Sequence, residues 1–432
     1  MRALPCESVA KAAPILPEFA IAPLSNDLPL PAQAADHPRM HWTEDGQACS
    51  ARWRSESGLR PPSRVVIADD SLTADAAYVL ACAGTGMLWR GDFHNARQLL
   101  QALARRADRK PRKATKATKA TKAAPEPAQV FNLHRQAQAQ RARTLGMLLL
   151  CVDADFGLPL RRAPDVRQAC AEAYGPPQES FVVSLRELLG LIGAHEWRRK
   201  GVAIAALGGL GDGRIHPHYG VFAPVRGEYL ELLAQAPLPP ALASQSLAFD
   251  IGTGTGVLSA VLARRGVQRV VATDLAPRAL ACAEQNLQRL GLSARVALLQ
   301  SDLFPPGRAP LVVCNPPWLP ARPRSSIEQA VYDPDSRMLR GFLDGLAAHL
   351  APGGEGWLLL SDLAEHLVLR SRADLLAWIE AAGLSVVGRL DVRPTHPKSS
   401  DRADPLHAAR AAEVTSLWRL RDAAAATGAQ AQ

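Results

Sequence analysis

The second half of the chain alternates short apolar runs with amphipathic segments. Mostly apolar runs lie at 247–251, 269–273, 296–299 and 310–314. Runs of this length are typical of strands buried on both faces, and the segments after the first two have the three-and-four spacing of helices. Farther along, the pattern predicts helices over 337–350 and 363–382 and strands over 357–361, 384–391 and 413–420. We therefore predict an α/β fold with a seven-stranded, mostly parallel sheet and helices on both faces.

The first half is less regular. Residues 1–60 are rich in Pro and Ala and are predicted to be mostly irregular. Farther on, the patterns predict a strand at 65–67, helices near 73–78, 95–100, 164–174 and 184–193, and a hairpin over 202–222 that turns at 211–213. We interpret 61–235 as an N-terminal α+β accessory domain that presents the substrate. Residues 236–432 form the domain with the seven-stranded sheet.

Most of the positive charge is concentrated in one tract. The chain has 50 Lys and Arg against 41 Asp and Glu, and between 104 and 122 there are nine basic residues and one aspartate. With its Lys-Ala-Thr repeats, the segment 104–128 is predicted to be a disordered linker that interrupts the accessory domain. Two roles stay open for it: nonspecific contact with nucleic-acid phosphates, or a solubilising connector.

Several features indicate where the chain works. It has no apolar run of 18 residues and no secretory h-region, so we expect no membrane association. The seven cysteines form no Cys-x-x-Cys pair, which fits reduced thiols and a cytoplasmic location. His216 and His218 have no third ligand at a suitable spacing, so no metal site is expected.

Three alternating glycines follow the strand that contains Asp250. The segment reads Asp250-Ile251-Gly252-Thr253-Gly254-Thr255-Gly256, and an amphipathic helix begins at Val257. Glycine permits positive φ and close approach of a ligand, and a helix N-terminus offers free amide donors. A carboxylate at the strand end would be unfavourable beside a pyrophosphate but favourable beside an ammonium group.

Two more aspartates follow the next two strands. Asp274 comes after 269–273, and its two oxygens can accept from both hydroxyls of a ribose. Asp302 comes after 296–299 and can accept from an adenine amino group. Each aspartate taken singly could equally be a helix N-cap or turn residue. Three in register after three successive strands favour a nucleoside-binding site.

The fourth strand ends in Asn315-Pro316-Pro317-Trp318, which we call the clamp. Two prolines stop the strand and stiffen the turn. Such a turn can hold the Asn315 side-chain oxygen and the Pro316 carbonyl so that both accept from one NH2 group. An amide or aromatic amine nitrogen attacks poorly, and two fixed acceptors stabilise the charge that develops on it. Trp318 offers a flat face for stacking on a planar acceptor, or is a lid or core residue.

Together these residues resemble the class I S-adenosylmethionine (SAM)-dependent methyltransferases of the Asn-Pro-Pro-aromatic branch, and within it most closely the glutamine N-methyltransferases. The resemblance covers residues from about 215 to 420 and implies a Rossmann-like methyltransferase sheet with S-adenosyl-L-methionine as cofactor. It implies cofactor contacts from Asp250, Gly252, Thr253, Gly254, Gly256, Asp274, Leu275, Asp302, Leu303 and Asn315. It also implies that the clamp is catalytic and that Arg226 or Glu228, in the preceding segment, touches SAM or substrate, although a solvated turn fits that segment equally well.

The sequence departs from this family where the acceptor would lie. Position 318 is Trp where the family usually has Tyr, and the loop from Leu319 to Met338 lacks the usual glycine-rich stretch. We therefore expect methyl transfer to a planar nitrogen, with a protein glutamine favoured over the exocyclic amino group of a base in rRNA, tRNA or DNA.

Two other classes fit less of the pattern. A SAM-binding module without turnover would keep the aspartates and lose the clamp. A nicotinamide-dependent oxidoreductase would need Gly-x-Gly-x-x-Gly.

Overall fold

Two β-sheets organise the protein. The computed structural model describes residues 38–109, 125–208, 213–324, 327–395 and 401–424. The described residues from Pro38 onward form one compact unit. Most of the basic tract lies outside the described residues. So do residues 1–37, which belong to the region predicted to be mostly irregular.

The N-terminal sheet has six strands in the order β1-β2-β6-β5-β4-β3. They are β1 (Arg39–Glu44), β2 (Gln47–Trp53), β3 (Arg64–Ala68), β4 (Thr85–Trp89), β5 (Leu148–Val152) and β6 (Phe181–Ser184). Five helices accompany them: α1 (Ala74–Cys82), α2 (Phe93–Ala107), α3 (Pro127–Leu145), α4 (Arg167–Tyr174) and α5 (Leu185–Lys200). Alternate residues such as Met87, Leu148 and Val183 pack with the helices in one core.

The structure differs from two sequence-based expectations in this region. Residues 39–53 form a hairpin rather than irregular chain, because Met40, Ala51 and Trp53 bury their side chains against the sheet. At both ends of the linker predicted over 104–128, residues 104–107 and 127–128 are helical. Helix α2 continues to Ala107 since Leu103 is buried, and α3 starts at Pro127, a residue suited to a first helical turn.

The segment after α5 belongs to the second sheet. Strands β7 (Val202–Ala203) and β8 (Arg214–Ile215) pair as a short hairpin, as predicted, although residues 211 and 212 of its turn lie outside the described residues. Ile204, Ile215 and helix α6 (Glu228–Gln235) pack in the core of the C-terminal sheet. The sequence-based boundary at residue 235 therefore separates α6 from the sheet against which it packs.

The C-terminal sheet has the seven strands predicted, and their order is β11-β10-β9-β12-β13-β15-β14. They are β9 (Leu247–Ile251), β10 (Arg269–Asp274), β11 (Val296–Gln300), β12 (Ala309–Cys314), β13 (Leu350–Ser361), β14 (Leu384–Val392) and β15 (Thr415–Asp422). Strand β15 runs antiparallel to both of its neighbours, β13 and β14, and the other described pairs in this sheet are parallel. The helices are α7 (Val257–Arg264), α8 (Pro277–Arg289), α9 (Arg337–His349), α10 (Leu363–His366), α11 (Arg372–Ala381) and α12 (His407–Ala412).

The helix predicted over 363–382 is two helices. Val368 has φ of 55°, which interrupts the first. A capping box between Ser371 and Asp374 starts the second.

Alternate residues of the central strands face opposite cores. Leu311 and Val313 of β12 lie in one core, whereas Val312 and Cys314 lie in the other with α9. The chain leaves β9 toward β10 on one side and returns to β12 on the other. In open α/β sheets, ligands bind at the carboxyl end of the strands at such a switch point.

Candidate active site

The glycine turn (residues 252–256) lies at this switch point. Its three glycines have φ of 73°, 56° and 80°, a region that side chains disfavour. At Gly256 a Cβ would lie 3.2 Å from the Ala283 backbone. Thr253 is buried, and its amide donates to the Thr273 carbonyl at 2.8 Å. The turn is thus bound to strand β10.

Asp250 is fully buried beneath this turn. Its Oδ2 accepts from the hydroxyls of Thr253 and Ser259 at 2.7 and 2.6 Å and from the Ser259 amide at 3.1 Å. Its Oδ1 has no hydrogen-bond partner. Burial raises the pKa of Asp250 above the usual value. Asp250 therefore holds the turn to the start of α7 and leaves one oxygen uncompensated.

Asp274 reaches the same turn from the end of β10. Its Oδ2 accepts from the Gly254 amide at 3.0 Å and its Oδ1 from the Ala276 amide at 2.9 Å. A carboxylate oxygen has a second lone pair, so both oxygens can still accept from a ligand. Burial raises the pKa of Asp274. The next residue, Leu275, leaves 59% of its surface exposed, which is unusual for a large apolar side chain beside a polar turn.

Asp302 follows β11 at the same edge of the sheet but is exposed. Its Oδ2 accepts from Arg337 at 2.5 Å, at the start of α9. Leu303 adopts φ of 76°, and its carbonyl accepts from the Thr273 hydroxyl. The adenine contact predicted for Asp302 stays a prediction, and Arg337 competes for one of its oxygens.

The clamp stands beside the glycine turn. Cys314 pairs with Ile251 in the parallel register of β12 and β9, so Asn315 and Gly252 leave the sheet side by side. The Trp318 indole Nε1 donates to Asn315 Oδ1 at 2.9 Å. Cys314 is buried in the core, and burial raises its pKa well above that of a free thiol.

An ion-pair network, not predicted as such from the sequence, supports Trp318. The Arg226 guanidinium lies 5.0 Å from the centre of the Trp318 ring. Its Nε donates to Glu228 at 2.7 Å and its Nη2 to Glu413 at 3.0 Å. Glu413 also accepts from the Ser361 hydroxyl. Arg226 and Glu228 therefore bind protein groups, and the solvated-turn interpretation of this segment is wrong.

Glu413 and Ser361 gave only a weak sequence signal: a single acid before a strand and a serine at the end of another. Their proximity follows from the antiparallel pairing of β13 with β15, where Ser361 lies opposite Thr415.

The two histidines considered as metal ligands bond to protein groups. His216 Nδ1 lies 2.6 Å from the Arg198 carbonyl, and His218 Nε2 lies 3.0 Å from Gln285. Within the described ranges, no group of three or more His, Cys, Asp or Glu side chains could hold a metal ion. No helix among the described residues is long and apolar enough to cross a membrane.

These features fit SAM on physical grounds. The left-handed glycines leave open backbone, Asp274 offers two acceptors, and Leu275 offers exposed apolar surface. The uncompensated Asp250 charge favours a nearby ammonium group.

Comparisons with known proteins agree. Residues 214–366 match the methyltransferase small domain family. The chain is 35% identical over 155 residues to a release factor glutamine methyltransferase of Cereibacter sphaeroides, covering 33% of this chain and 53% of the relative. It is 40% identical over 115 residues to one of Moorella thermoacetica, covering 25% and 41%. A ribosomal RNA small subunit methyltransferase C of Alcanivorax borkumensis is 34% identical over 143 residues, covering 32% and 40%.

The chain thus spans about half the length, or less, of these relatives. A crystal structure of a ribosomal protein L11 methylase from Lactobacillus delbrueckii subsp. bulgaricus aligns over 45% of this chain and 77% of that one, with 17% identity and a TM-score of 0.30. A TM-score this low supports no fold assignment, which is therefore based on the strand order of the C-terminal sheet. Residues 214–366 thus match a methyltransferase domain family, and the chain is similar to glutamine methyltransferases over a quarter to a third of its length.

Proposed function

We propose that the protein is a SAM-dependent N-methyltransferase that acts on a protein glutamine. The observation that carries this proposal is the register of β9 and β12, which sets the Asn-Pro-Pro turn directly beside the glycine turn. The names of the most similar relatives support glutamine as the acceptor. We expect the protein to work in the cytoplasm.

The cofactor-binding residues and the clamp have separate proposed roles. Bound SAM supplies an electrophilic methyl group. The glycine turn, Asp250 and Asp274 orient the cofactor, with further contacts proposed from Leu275, Asp302 and Leu303. Asn315 Oδ1 and the Pro316 carbonyl accept both N–H groups of the acceptor amide and stabilise the positive charge that develops on its nitrogen. Holding this nitrogen in line with the methyl group supplies much of the remaining acceleration. The methylated nitrogen then loses a proton to water.

A nucleic-acid base is the second candidate acceptor. The ribosomal RNA methyltransferase relative and the basic tract favour it. The clamp chemistry is the same for an exocyclic amino group, so the clamp alone does not discriminate between the two.

One labelling experiment discriminates between them. The purified chain is incubated with tritiated SAM and either a purified bacterial release factor or total RNA, and the products are treated with protease or nuclease. We expect label in the release factor that survives nuclease and is released by protease. Label in RNA alone would replace glutamine by a base, and transfer to neither acceptor would contradict both assignments.

A further inference from the structure

The Asn315 side-chain amide can adopt two orientations, which exchange the positions of its oxygen and its NH2 group. An amide side chain has an oxygen that accepts and an NH2 group that donates, in nearly the same shape. Only the oxygen can accept from an incoming NH2 group. Some neighbouring group must therefore select the rotamer that presents the oxygen.

The Trp318 indole can make this selection. Its Nε1 lies 2.9 Å from Asn315 Oδ1. Indole N–H is a donor only, so it stabilises the oxygen in that position and disfavours the NH2 group. The carbonyl oxygen keeps a second lone pair for the acceptor. Phenylalanine lacks this donor, and a tyrosine hydroxyl would lie at a different place.

Trp318 is itself held by buried charges. Tyr229 contacts the Trp318 ring edge-to-face, with centres 6.4 Å apart and planes at 88°. Arg226 covers the ring and bonds to Glu228 and Glu413. The Glu413 side chain is 0% exposed, so its charge depends on the Arg226 guanidinium and the Ser361 hydroxyl.

We propose that Trp318 is a positioning residue that fixes the Asn315 amide, and that Glu413 and Arg226 fix Trp318. The proposal rests on the proposed function for its catalytic consequence but not for its geometry. Glu413 lies just before β15, and Ser361 lies at the end of β13. The pairing of these two strands therefore sets the orientation of the clamp through the side chains of Ser361, Glu413, Arg226 and Trp318.

The geometry is tested without an acceptor. Hydrogen exchange of the Trp318 indole is measured by NMR on the full chain labelled with 15N-tryptophan, and the resonance is assigned with Trp318→Phe. We expect exchange at least tenfold faster in Asn315→Ala, Glu413→Gln and Arg226→Lys, since lysine cannot reproduce the two-sided bonding of arginine. Glu365→Gln, which removes an arginine pair on α10, is the matched control and should leave exchange unchanged.

The catalytic consequence is tested by single-turnover transfer to a release factor. Trp318→Phe and Arg226→Lys should each slow transfer about tenfold, with SAM affinity and acceptor KM unchanged. The double variant should be no slower than the slower single variant, because both act on one orientation. Trp42→Phe loses an indole bond to Glu44 far from the clamp and should keep the full rate.

The outcomes separate the two proposals. An indole exchange rate that is unchanged in both Glu413→Gln and Arg226→Lys overturns the positioning role. An unchanged or faster rate of methyl transfer in Trp318→Phe also overturns it. A faster rate would mean that the indole blocks the clamp. An unmodified chain that transfers no methyl group to the release factor contradicts the proposed function, while the exchange result still decides the positioning role.

Discussion

Among single residues, the buried Asp250 and the partly buried Asp274 are expected to make SAM binding depend on pH. Burial raises the pKa of Asp250 and of Asp274, so each loses its charge at a higher pH than an exposed aspartate would. The proposed contacts with SAM need the charged forms, and affinity should therefore weaken as pH falls through these raised pKa values. For folding the sign is opposite: their contribution to stability is present below the unfolded-state pKa and is lost as pH rises through the folded-state pKa.

We expect Asp274→Ala to weaken SAM binding at least tenfold. Loss of a hydrogen-bonded charge costs about 1.5–3 kcal/mol, which is a factor of ten or more. Calorimetric titration with SAM measures the change. Asp302→Ala is the comparison, and its smaller effect would follow from exposure and from its pairing with Arg337. Tighter binding of NAD than of SAM by the unmodified chain would contradict the cofactor assignment.

Asn315→Ala should slow methyl transfer at least 100-fold, while SAM affinity stays within about threefold. The contacts of this side chain with the acceptor strengthen mainly in the transition state, so the loss appears in the rate. Single-turnover transfer of labelled methyl groups measures it. Full activity in this variant would reduce the Asn-Pro-Pro turn to a strand terminator.

Among the elements, the pair β13 and β15 is held by a buried charge cluster. Glu355 of β13 is 0% exposed and accepts from Arg419 and Arg421 of β15 at 2.7 and 2.8 Å. Burial by itself would raise the pKa of Glu355, but the hydrogen bonds from Arg419, Trp357 and Arg421 outweigh it and lower the pKa. A folded-state pKa below the unfolded one means that this stability is present above the unfolded pKa and is lost as pH falls through the folded pKa.

Glu355→Gln should therefore lower the free energy of unfolding by about 1.5–3 kcal/mol near neutral pH. The difference from the unmodified chain should shrink in acid. Urea unfolding at several pH values checks both statements. Glu196→Gln removes a largely exposed pair with Arg199 and should leave the free energy of unfolding nearly unchanged. An equal loss at all pH values would mean that packing rather than charge holds the strands.

On the scale of the whole molecule, helix α3 connects the N-terminal sheet to the loop after the clamp. The Arg135 guanidinium lies 4.1 Å from the Tyr332 ring centre and donates to the Arg322 carbonyl at 2.7 Å. Phe131 packs in the same cluster as Leu319, which directly follows Trp318. The accessory region thus supports the loop where an acceptor would enter.

Arg135→Ala should reduce transfer to a release factor more than it reduces SAM affinity, because it loosens the acceptor loop and not the cofactor turn. We expect a rise in acceptor KM of several-fold, measured by steady-state transfer. Arg141→Ala, on the same helix and paired with Asp108 instead, is the matched control. Equal effects of the two variants would contradict a role for this contact in acceptor binding.

At the same scale, both roles considered for the basic tract depend on its charge. Replacement of Lys110, Lys113, Lys116, Lys119 and Lys122 by Gln should leave SAM affinity unchanged. Any retention on nucleic acid should fall and lose much of its salt dependence, since each phosphate contact releases a counterion. Binding to an RNA duplex at several salt concentrations measures it. Lys200→Gln, a single exposed change, is the comparison.

The sequence by itself determined the parts of this protein that depend on neighbours along the chain. Strands and helices between 247 and 314 follow from apolar periodicity, and the glycine turn and the clamp follow from residues that restrict or free the backbone. Their common edge follows from parallel strands, whose carboxyl ends meet. The strands of the N-terminal region were harder to predict from the sequence, because β1 and β2 bury only part of their residues.

Only the tertiary structure decided which side chains from distant segments meet. Arg226, Trp318, Ser361 and Glu413 come together because β15 returns antiparallel beside β13, and no local pattern encodes that pairing. The hydrogen bond from the Trp318 indole to Asn315 Oδ1 could not be predicted from the sequence either, since it depends on side-chain geometry rather than on residue type. The association of β7, β8 and α6 with the second sheet was also set by packing, because their apolar side chains lie in its core.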